Sequence, residues 1–366
     1  MATISLCMIV RDEQAVLARC LDSVREIADE IIVTDTGSTD RTKEIAATYG
    51  IVREFAWCDN FAAARNYSFA QASMDYILWL DADDVIEPMD RERFLQVKNE
   101  LDGQVDVVML PYHTAFDEQG RPSFTYYRER LLRRASGFCW QGAVHECIVP
   151  SGRVIYRDAA VSHKKPETGG GSRRNLQIYE HILAHGEELD TRAQFYYARE
   201  LMADGQYQAA IQAFTDFLDR PDGWVENRVE ACRNLAECLL ASGMREEARH
   251  ALVRSFAIDY PRGETCCALG SLALEDGQIE QAAFWYRAAL HAPCHPERGG
   301  FVYQPCYGYV PCLGLCVCCD RMGDRAQAAI WNERAAIYQP SSQAVAYNRR
   351  YFAEKEAGVS AGSVEA

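Results

Sequence analysis

The sequence lacks any long hydrophobic run. Its apolar stretches, such as Ile4–Val10 and Leu313–Cys319, are only seven residues long, whereas a membrane-spanning helix needs about 20 apolar residues. We also expect no secretory signal, because Arg11, Asp12 and Glu13 interrupt the first apolar run and no small-residue cleavage site follows. We therefore expect a cytoplasmic protein without a membrane span.

Positive charge is scarce as well: 38 Lys and Arg residues stand against 53 Asp and Glu, for a net charge of −15. Proteins that bind a phosphate backbone usually carry a basic face, so nucleic-acid binding is not expected. A local site for a small phosphorylated ligand stays compatible with this charge. The fifteen cysteines are an odd number, and cytoplasmic thiols stay reduced, so we do not expect a disulfide framework.

The first part of the chain alternates β-rich apolar runs with helical spacings, which predicts a parallel sheet that binds ligands beyond the carboxyl ends of its strands. Between residues 105 and 163 the pattern changes to strands and turns, which predicts an antiparallel extension of the same sheet. The predicted strands are Ile4–Val10, Glu30–Asp35, Ile51–Trp57, Tyr76–Leu80, Val105–Pro111, Tyr126–Arg133, Val144–Val149 and Val154–Val161.

Four glycines mark a repeat in the second part of the chain. Gly205, Gly243, Gly277 and Gly323 are each followed by alanine five residues later, which is typical of tetratricopeptide repeats. The prediction is an α/β domain over residues 1–165, a lid or linker with a connecting helix over 166–190, helical repeats over 191–352 and a polar tail over 353–366. The cysteines around Cys316 are compatible with zinc, but helix packing explains them better, because no second ligand pair accompanies them.

An acidic run, Asp81-Ala82-Asp83-Asp84, directly follows a predicted strand. Carboxylates at such a strand end are suited to a hard divalent cation, although a solvated turn has the same composition. Asp35 ends the neighbouring strand, where its carboxylate can meet a nucleobase or a ribose. Arg65 and Asn66 precede the acidic strand and are placed to reach a pyrophosphate.

Four ordered motifs resemble the family 2 glycosyltransferases of the GT-A fold: Ile9–Glu13, Asp35–Asp40, Ala64–Asn66 and Leu80–Asp83. The resemblance implies that Asp35 contacts the base, that Asp81 lies near the ribose and that Asp83 binds Mg²⁺ or Mn²⁺. It also implies a nucleotide-sugar donor, with a UDP-hexose as the leading candidate. The residues expected to bind this donor are Val10, Arg11, Glu13, Asp35, Arg65, Asp81, Ala82 and Lys164.

A second constellation, Trp140 with Gly142-Ala-Val-His-Glu146, matches the acceptor side of the same family. Inverting transfer needs a general base near the nucleophile, and Glu146 is the candidate. His145 is expected to orient Glu146 or to contact the diphosphate; a structural pair within a strand is the alternative.

His163 stands at the end of the last predicted strand. In similar enzymes a histidine at this place completes the metal site and the basic residue after it, here Lys164, contacts phosphate. A purely structural histidine is the alternative. Arg173 and Arg174 follow a glycine-rich segment and are candidates for closing over the diphosphate as a lid.

The combination of domains is similar to the bacterial peptide S-glycosyltransferases of glycocin type. This resemblance implies transfer of a hexose to a peptide or protein through a Cys, Ser or Thr side chain, with a homodimer through the repeats as a further possibility. A cell-surface polysaccharide or a lipid-linked glycan is the rival acceptor. A non-catalytic repeat scaffold is the alternative from another class. A nucleotidyltransferase fits less well, because Met8–Asp12 contains no glycine-rich phosphate loop.

Overall fold

The computed structural model describes residues 2–116, 120–164 and 173–362. Contacts between residues divide the chain into two compact units, Met1–Asp204 and Gly205–Ala366. The domain boundaries predicted from the sequence, at residues 165 and 191, stay predictions, because the division into these two units does not test them.

The first unit is built on one mixed sheet. Within the described residues its order is β3-β2-β1-β4-β7-β6-β9-β5, with β8 beside β6. The four strands β3, β2, β1 and β4 run parallel, and β7 is antiparallel to both β4 and β6. The strands are β1 Ile4–Val10, β2 Glu30–Asp35, β3 Ile51–Glu54, β4 Tyr76–Trp79, β5 Asp84–Val85, β6 Val107–Phe116, β7 Pro122–Arg133, β8 Val154–Tyr156 and β9 Val161–His163.

Both faces of the central strands are buried, which explains why they are continuous apolar runs. Leu6 and Met8 belong to the core on one face, whereas Cys7 belongs to the core on the other, as alternation along a strand requires. The helices of this unit are α1 Leu17–Val24, α2 Thr42–Ala47, α3 Phe61–Phe69, α4 Pro88–Glu100, α5 Arg174–Ala184 and α6 Thr191–Ala203.

Two strand predictions are wrong. The segment Val144–Val149 forms no strand and only one isolated bridge, between Gln141 and Cys147, touches it. Gly142 and His145 have φ angles of 94° and 51°, a left-handed conformation that interrupts extended backbone. The predicted strand Val154–Val161 is divided into β8 and β9, and both pair with β6 in parallel rather than antiparallel fashion.

The second unit consists of helical hairpins, as the repeat pattern predicts. The turn glycines Gly243, Gly277 and Gly323 have φ angles of 78°, 75° and 87°, and the alanines that follow them five residues later are fully buried. Glycine adopts this conformation without a steric penalty. The helices are α7 Tyr207–Asp219, α8 Val225–Ala241, α9 Arg245–Arg254, α10 Gly263–Glu275, α11 Ile279–His291, α12 Tyr309–Arg321, α13 Arg325–Tyr338 and α14 Gln343–Gly362.

Close packing explains the small residues of the repeats. The ring of Tyr286 on α11 lies against Gly270 of α10 and Gly314 of α12, where an added Cβ would come within 2.9 Å and 2.5 Å of it. Cys316, Cys318 and Cys319 are buried on α12, and in the described part of the chain they belong to no metal-ligating cluster. No helix among the described residues is both long enough and apolar enough to cross a membrane.

Candidate functional site

A cavity of about 380 Å³ opens at the carboxyl ends of β1 and β4. Ten of the twelve site residues predicted from the sequence line it; Asp35 and Lys164 are the two that do not. The ten are Val10, Arg11, Glu13, Arg65, Asp81, Ala82, Asp83, His145, Glu146 and His163. The topology therefore brings together motifs that lie up to 153 positions apart, from Val10 to His163.

Arg65 of α3 connects two carboxylates in this cavity. Its Nε donates to Oε1 of Glu146 at 2.5 Å, and its Nη2 donates to Oδ1 of Asp81 at 2.7 Å. Burial lowers the pKa of Arg65, but the two carboxylates outweigh burial and raise the pKa overall. Burial raises the pKa of Asp81, but the guanidinium groups of Arg65 and Arg130 outweigh it and lower the pKa to about 2. The three side chains are thus held together as a charged unit.

Asn66, predicted to reach a pyrophosphate, does not line the cavity. Its Oδ1 accepts from the backbone N–H of Trp140 at 2.8 Å, and its Nδ2 donates to the carbonyl of Trp140 at 3.0 Å. Both polar atoms of the amide are therefore engaged by residues 140–148, called the site loop below. The N–H of Phe61, at the start of α3, donates to the carbonyl of Ala143 at 2.8 Å. Helix α3 thus anchors the site loop at two points.

The acidic run contributes to a cluster of three potential metal ligands. Ligand atoms of Asp83, Asp84 and His163 all lie within 4.8 Å of one another. Nδ1 of His163 is 3.3 Å from Oδ1 of Asp83 and 3.4 Å from Oδ1 of Asp84. Hydrogen bonds to these carboxylates, opposed in part by burial, raise the pKa of His163 to about 10. Carboxylate oxygens with one imidazole nitrogen form a donor set that Mn²⁺ or Mg²⁺ accepts.

Asp84 has a role that the sequence analysis missed. Its side chain is fully buried; Oδ1 accepts from the hydroxyl of Tyr112 at 2.8 Å, and Oδ2 accepts from the N–H of Asp81 at 3.0 Å. Oδ2 also forms a buried ion pair with Arg130 at 3.1 Å. These contacts fix the backbone of the acidic run, and they leave Asp83 and His163 as the members of the cluster that line the cavity.

Asp35 and Lys164 lie beside the cavity rather than in its lining. Oδ1 of Asp35 accepts from the N–H groups of Gly37 and Ser38, each at 3.0 Å, while its buried Oδ2 has no hydrogen-bond partner among the described residues. A buried, unsatisfied acceptor is costly unless a ligand completes it. Nζ of Lys164 lies 3.5 Å from Glu87.

The two arginines predicted to close over the diphosphate differ in position. Arg174 lines the cavity, with its guanidinium 4.8 Å from the ring of Phe61. Arg173 instead forms an ion pair with Asp204 at 2.9 Å. The glycine-rich segment 166–172, expected to act as a lid or linker, lies outside the described residues.

His145, expected to orient Glu146 or to contact the diphosphate, forms a hydrogen bond with a different carboxylate. Its Nε2 lies 2.6 Å from Oε1 of Glu200 on α6, a residue that the sequence analysis did not single out. Arg128 also lines the cavity and was missed; its guanidinium lies 4.8 Å from the ring of Trp79 and pairs with Glu129 at 3.0 Å. An arginine within a strand and a glutamate 55 positions from its partner carry no local sequence signal.

Comparisons with known proteins agree with the two-part architecture. Residues 5–161 match the family described as glycosyl transferase family 2, and residues 201–260 match the tetratricopeptide repeat. A TPR repeat-containing protein of Synechococcus elongatus is 41% identical over 151 residues, which are 40% of this chain and 36% of that protein. The SPbeta prophage-derived glycosyltransferase SunS of Bacillus subtilis is 26% identical over 54% of this chain and 49% of its own length. The chain thus spans about half or less of each of these relatives.

Among solved structures, one match is glucosyl-3-phosphoglycerate synthase from Mycobacterium tuberculosis in complex with Mn²⁺, UDP and phosphoglyceric acid. It is 23% identical over 30% of this chain and 43% of that chain, with a TM-score of 0.27. A similarity of this size adds nothing to the description of the site.

Proposed function

We propose that this chain, a glycosyltransferase whose residues 5–161 form a family 2 domain followed by tetratricopeptide repeats, moves a hexose from a nucleotide-diphosphosugar to a peptide or protein side chain, with inversion and with Mg²⁺ or Mn²⁺. The observation that carries the proposal is the cavity at the carboxyl ends of β1 and β4. It combines the pair Asp83 and His163 with the charged unit around Arg65.

The donor nucleotide would lie along the strand ends. The unsatisfied Oδ2 of Asp35 offers an acceptor for an N–H of the base, and Asp81 lies two residues beyond the end of β4, where it can meet the ribose. Val10, Arg11 and Ala82 form the adjoining wall. Arg174 and Lys164 supply positive charge toward the diphosphate, which the net charge of the whole chain does not provide.

Asp83 and His163 are suitable ligands for the proposed Mg²⁺ or Mn²⁺ ion. Asp83 and His163 are partly exposed to the cavity, with side-chain exposures of 20% and 27%, so two coordination positions come from the protein and the rest remain for phosphate oxygens and water. When bound, the cation would offset the negative charge of a departing nucleoside diphosphate. The high pKa of His163 means that metal binding at neutral pH must displace a proton.

The site loop would face the acceptor. Inversion requires that the nucleophile attack the anomeric carbon from the side opposite the diphosphate while a protein group accepts its proton. His145 and Glu146 are the candidate residues, because both line the cavity next to Arg65 and Trp140. The bond from the anomeric carbon to the phosphate oxygen breaks, and its electron pair leaves with the nucleoside diphosphate.

The repeats support a peptide or protein acceptor. Tetratricopeptide repeats commonly form concave surfaces that bind extended peptides, and the resemblance to peptide S-glycosyltransferases points to Cys, Ser or Thr as the nucleophile. A polysaccharide or lipid-linked acceptor would not need them. Dimerisation through the repeat unit also stays a prediction.

A thermal-shift panel tests the donor site. UDP-, GDP- and dTDP-sugars are each added with and without Mn²⁺ to the wild type, to Asp83→Ala and to the control Asp216→Ala, which changes an exposed aspartate of α7. We expect one nucleotide to raise Tm in a metal-dependent way in the wild type and the control but not in Asp83→Ala. The absence of a shift with every donor would favour the scaffold alternative.

The acceptor is tested by incubating the enzyme and the identified donor with cysteine- and serine-containing peptides, and in parallel with surface polysaccharide. A mass increase of one hexose on a peptide is the expected result. Transfer to the saccharide alone would contradict the proposed acceptor while leaving the donor site intact.

A further inference from the structure

Helices α5 and α6, which lie beyond the matched family segment, hold the centre of the site loop. The hydroxyl of Tyr179 on α5 donates to the carbonyl of Val144 at 3.3 Å. The guanidinium of Arg192 on α6 donates to the carbonyl of His145 through Nε at 3.3 Å and through Nη2 at 3.2 Å. These contacts support the left-handed backbone of His145, whose φ is 51°, a conformation that is strained without such support.

The imidazole ring of His145, like its backbone, is held by contacts with α6. Its ring stacks on Tyr196 with a centroid distance of 4.2 Å and an interplanar angle of 16°. Its Nε2 lies 2.6 Å from Oε1 of Glu200, which also accepts from Nδ2 of Asn175 at 3.2 Å. Burial raises the pKa of Glu200, but the hydrogen bonds from His145 and Asn175 outweigh it and lower the pKa overall.

An ionised carboxylate only accepts hydrogen bonds, so its partner nitrogen must carry the proton. In the neutral imidazole the other nitrogen, Nδ1, is then an acceptor. The carboxylate of Glu146, in contrast, already accepts the short hydrogen bond from Arg65 at 2.5 Å. Of the two adjacent candidate bases, His145 is therefore the one with an orienting carboxylate behind it, in the arrangement that general-base histidines share.

We propose that Glu200 is a positioning residue that fixes the proton of His145 on Nε2, so that Nδ1 accepts the proton of the acceptor during glycosyl transfer. This inference rests on the proposed function. It assigns Glu146 to the charged unit with Arg65 and Asp81 rather than to proton transfer. The charged or titratable groups that face His145 are Glu200, Arg192 and Tyr196 on α6 and Glu146 in the site loop.

The acceptor's O–H or S–H proton moves to Nδ1 of His145, and the nucleophile's electron pair forms the bond to the anomeric carbon. The bond from that carbon to the phosphate oxygen breaks, and its electron pair leaves with the nucleoside diphosphate. The imidazolium keeps its second proton on Nε2, where the negative charge of Glu200 stabilises it.

Nitrogen NMR of the ¹⁵N-histidine-labelled full chain tests the positioning directly, with His145→Gln used to assign the signal. We expect neutral His145 to be protonated on Nε2. In Glu200→Gln, whose amide can donate as well as accept, we expect the tautomer protonated on Nδ1 to become populated. Glu200→Asp, which keeps the carboxylate, should retain the proton on Nε2, and the control Glu180→Gln, at an exposed position of α5, should leave the tautomer unchanged. A proton on Nδ1 in the wild type, or an unchanged tautomer in Glu200→Gln, would overturn the positioning.

Kinetics with the identified donor and acceptor test the catalytic consequence. We expect Glu200→Gln to lower kcat about 10- to 100-fold with little change in the KM of the donor. An unchanged kcat would overturn the role of His145 as proton acceptor. Failure of the wild type to bind any nucleotide-sugar would instead contradict the proposed function, while the NMR result would still decide the contact between Glu200 and His145.

Discussion

The two sides of the cavity are built in different ways. The proposed donor side is formed by residues at the ends of parallel strands, such as Val10 at the end of β1 and Asp81 just beyond β4, whose positions are fixed by the register of the sheet. The site loop, on the other side, has no regular structure. It is held by Asn66 of α3 and by Arg192 and Glu200 of α6. Local sequence patterns therefore determine the residue positions at the strand ends, whereas long-range side-chain contacts determine the conformation of the site loop.

The largest effect is expected from replacing Arg65, because its guanidinium contacts both Asp81 at the strand ends and Glu146 in the site loop. Arg65→Ala removes a buried guanidinium and leaves the partly buried carboxylates of Glu146 and Asp81 without their partner, and we expect a loss of about 3 kcal/mol in the free energy of unfolding. Urea denaturation measures it. Arg41→Ala, which removes an exposed ion pair with Glu44, should cost less than about 1 kcal/mol. Equal losses in the two variants would show that the charged unit does not join the two sides.

Replacing Asp83 affects the donor side alone. We expect Asp83→Ala to lower metal-dependent transfer about 100-fold or more, because it removes a proposed carboxylate ligand of the cation. Initial rates across a Mn²⁺ series measure this effect, with Asp216→Ala as the control. Full turnover in Asp83→Ala would remove this residue from the metal site.

Replacing Asn66 affects the site loop alone. Asn66→Ala removes both hydrogen bonds to the backbone of Trp140 and leaves buried peptide groups unsatisfied, at a cost of about 1–3 kcal/mol. We expect metal-dependent donor binding, followed by thermal shift, to persist while transfer falls. The comparison variant Gln71→Ala, just beyond the end of α3, should change stability by about 0.5 kcal/mol or less. Loss of donor binding in Asn66→Ala would mean that the two sides are not separable.

The smallest effect on stability is expected from replacing Gly142, a residue of the site loop. Its φ of 94° is unfavourable for a residue with a Cβ, so Gly142→Ala should cost about 1–2 kcal/mol. Gly142→Asn should cost less, because asparagine tolerates left-handed backbone better. Thermal denaturation distinguishes the two variants, and identical Tm values for both would argue against backbone strain as the cause.

The same two sides differ in how well the sequence predicts them: the strands could be predicted, whereas the site loop could not. The bounds of β1 and β2 are the predicted ones, because buried parallel strands are largely apolar runs rich in β-branched residues. Val144–Val149 also contains β-branched residues yet forms a loop, in which the left-handed backbone of His145 is held by a contact with the distant helix α6. The motif identified the acidic run, but only the structure shows that Asp84 is buried against Arg130 and Tyr112 while Asp83 lines the cavity.

The proposed metal site is tested most directly by a crystal structure of the chain with Mn²⁺ and the nucleoside diphosphate that the thermal-shift panel selects, analysed for anomalous scattering from manganese. We expect one strong peak in the cavity, at coordination distance from a carboxylate oxygen of Asp83 and a ring nitrogen of His163, with the diphosphate bound to the same ion. Nucleotide bound in the cavity without manganese, or manganese bound away from both residues, would contradict the proposed site.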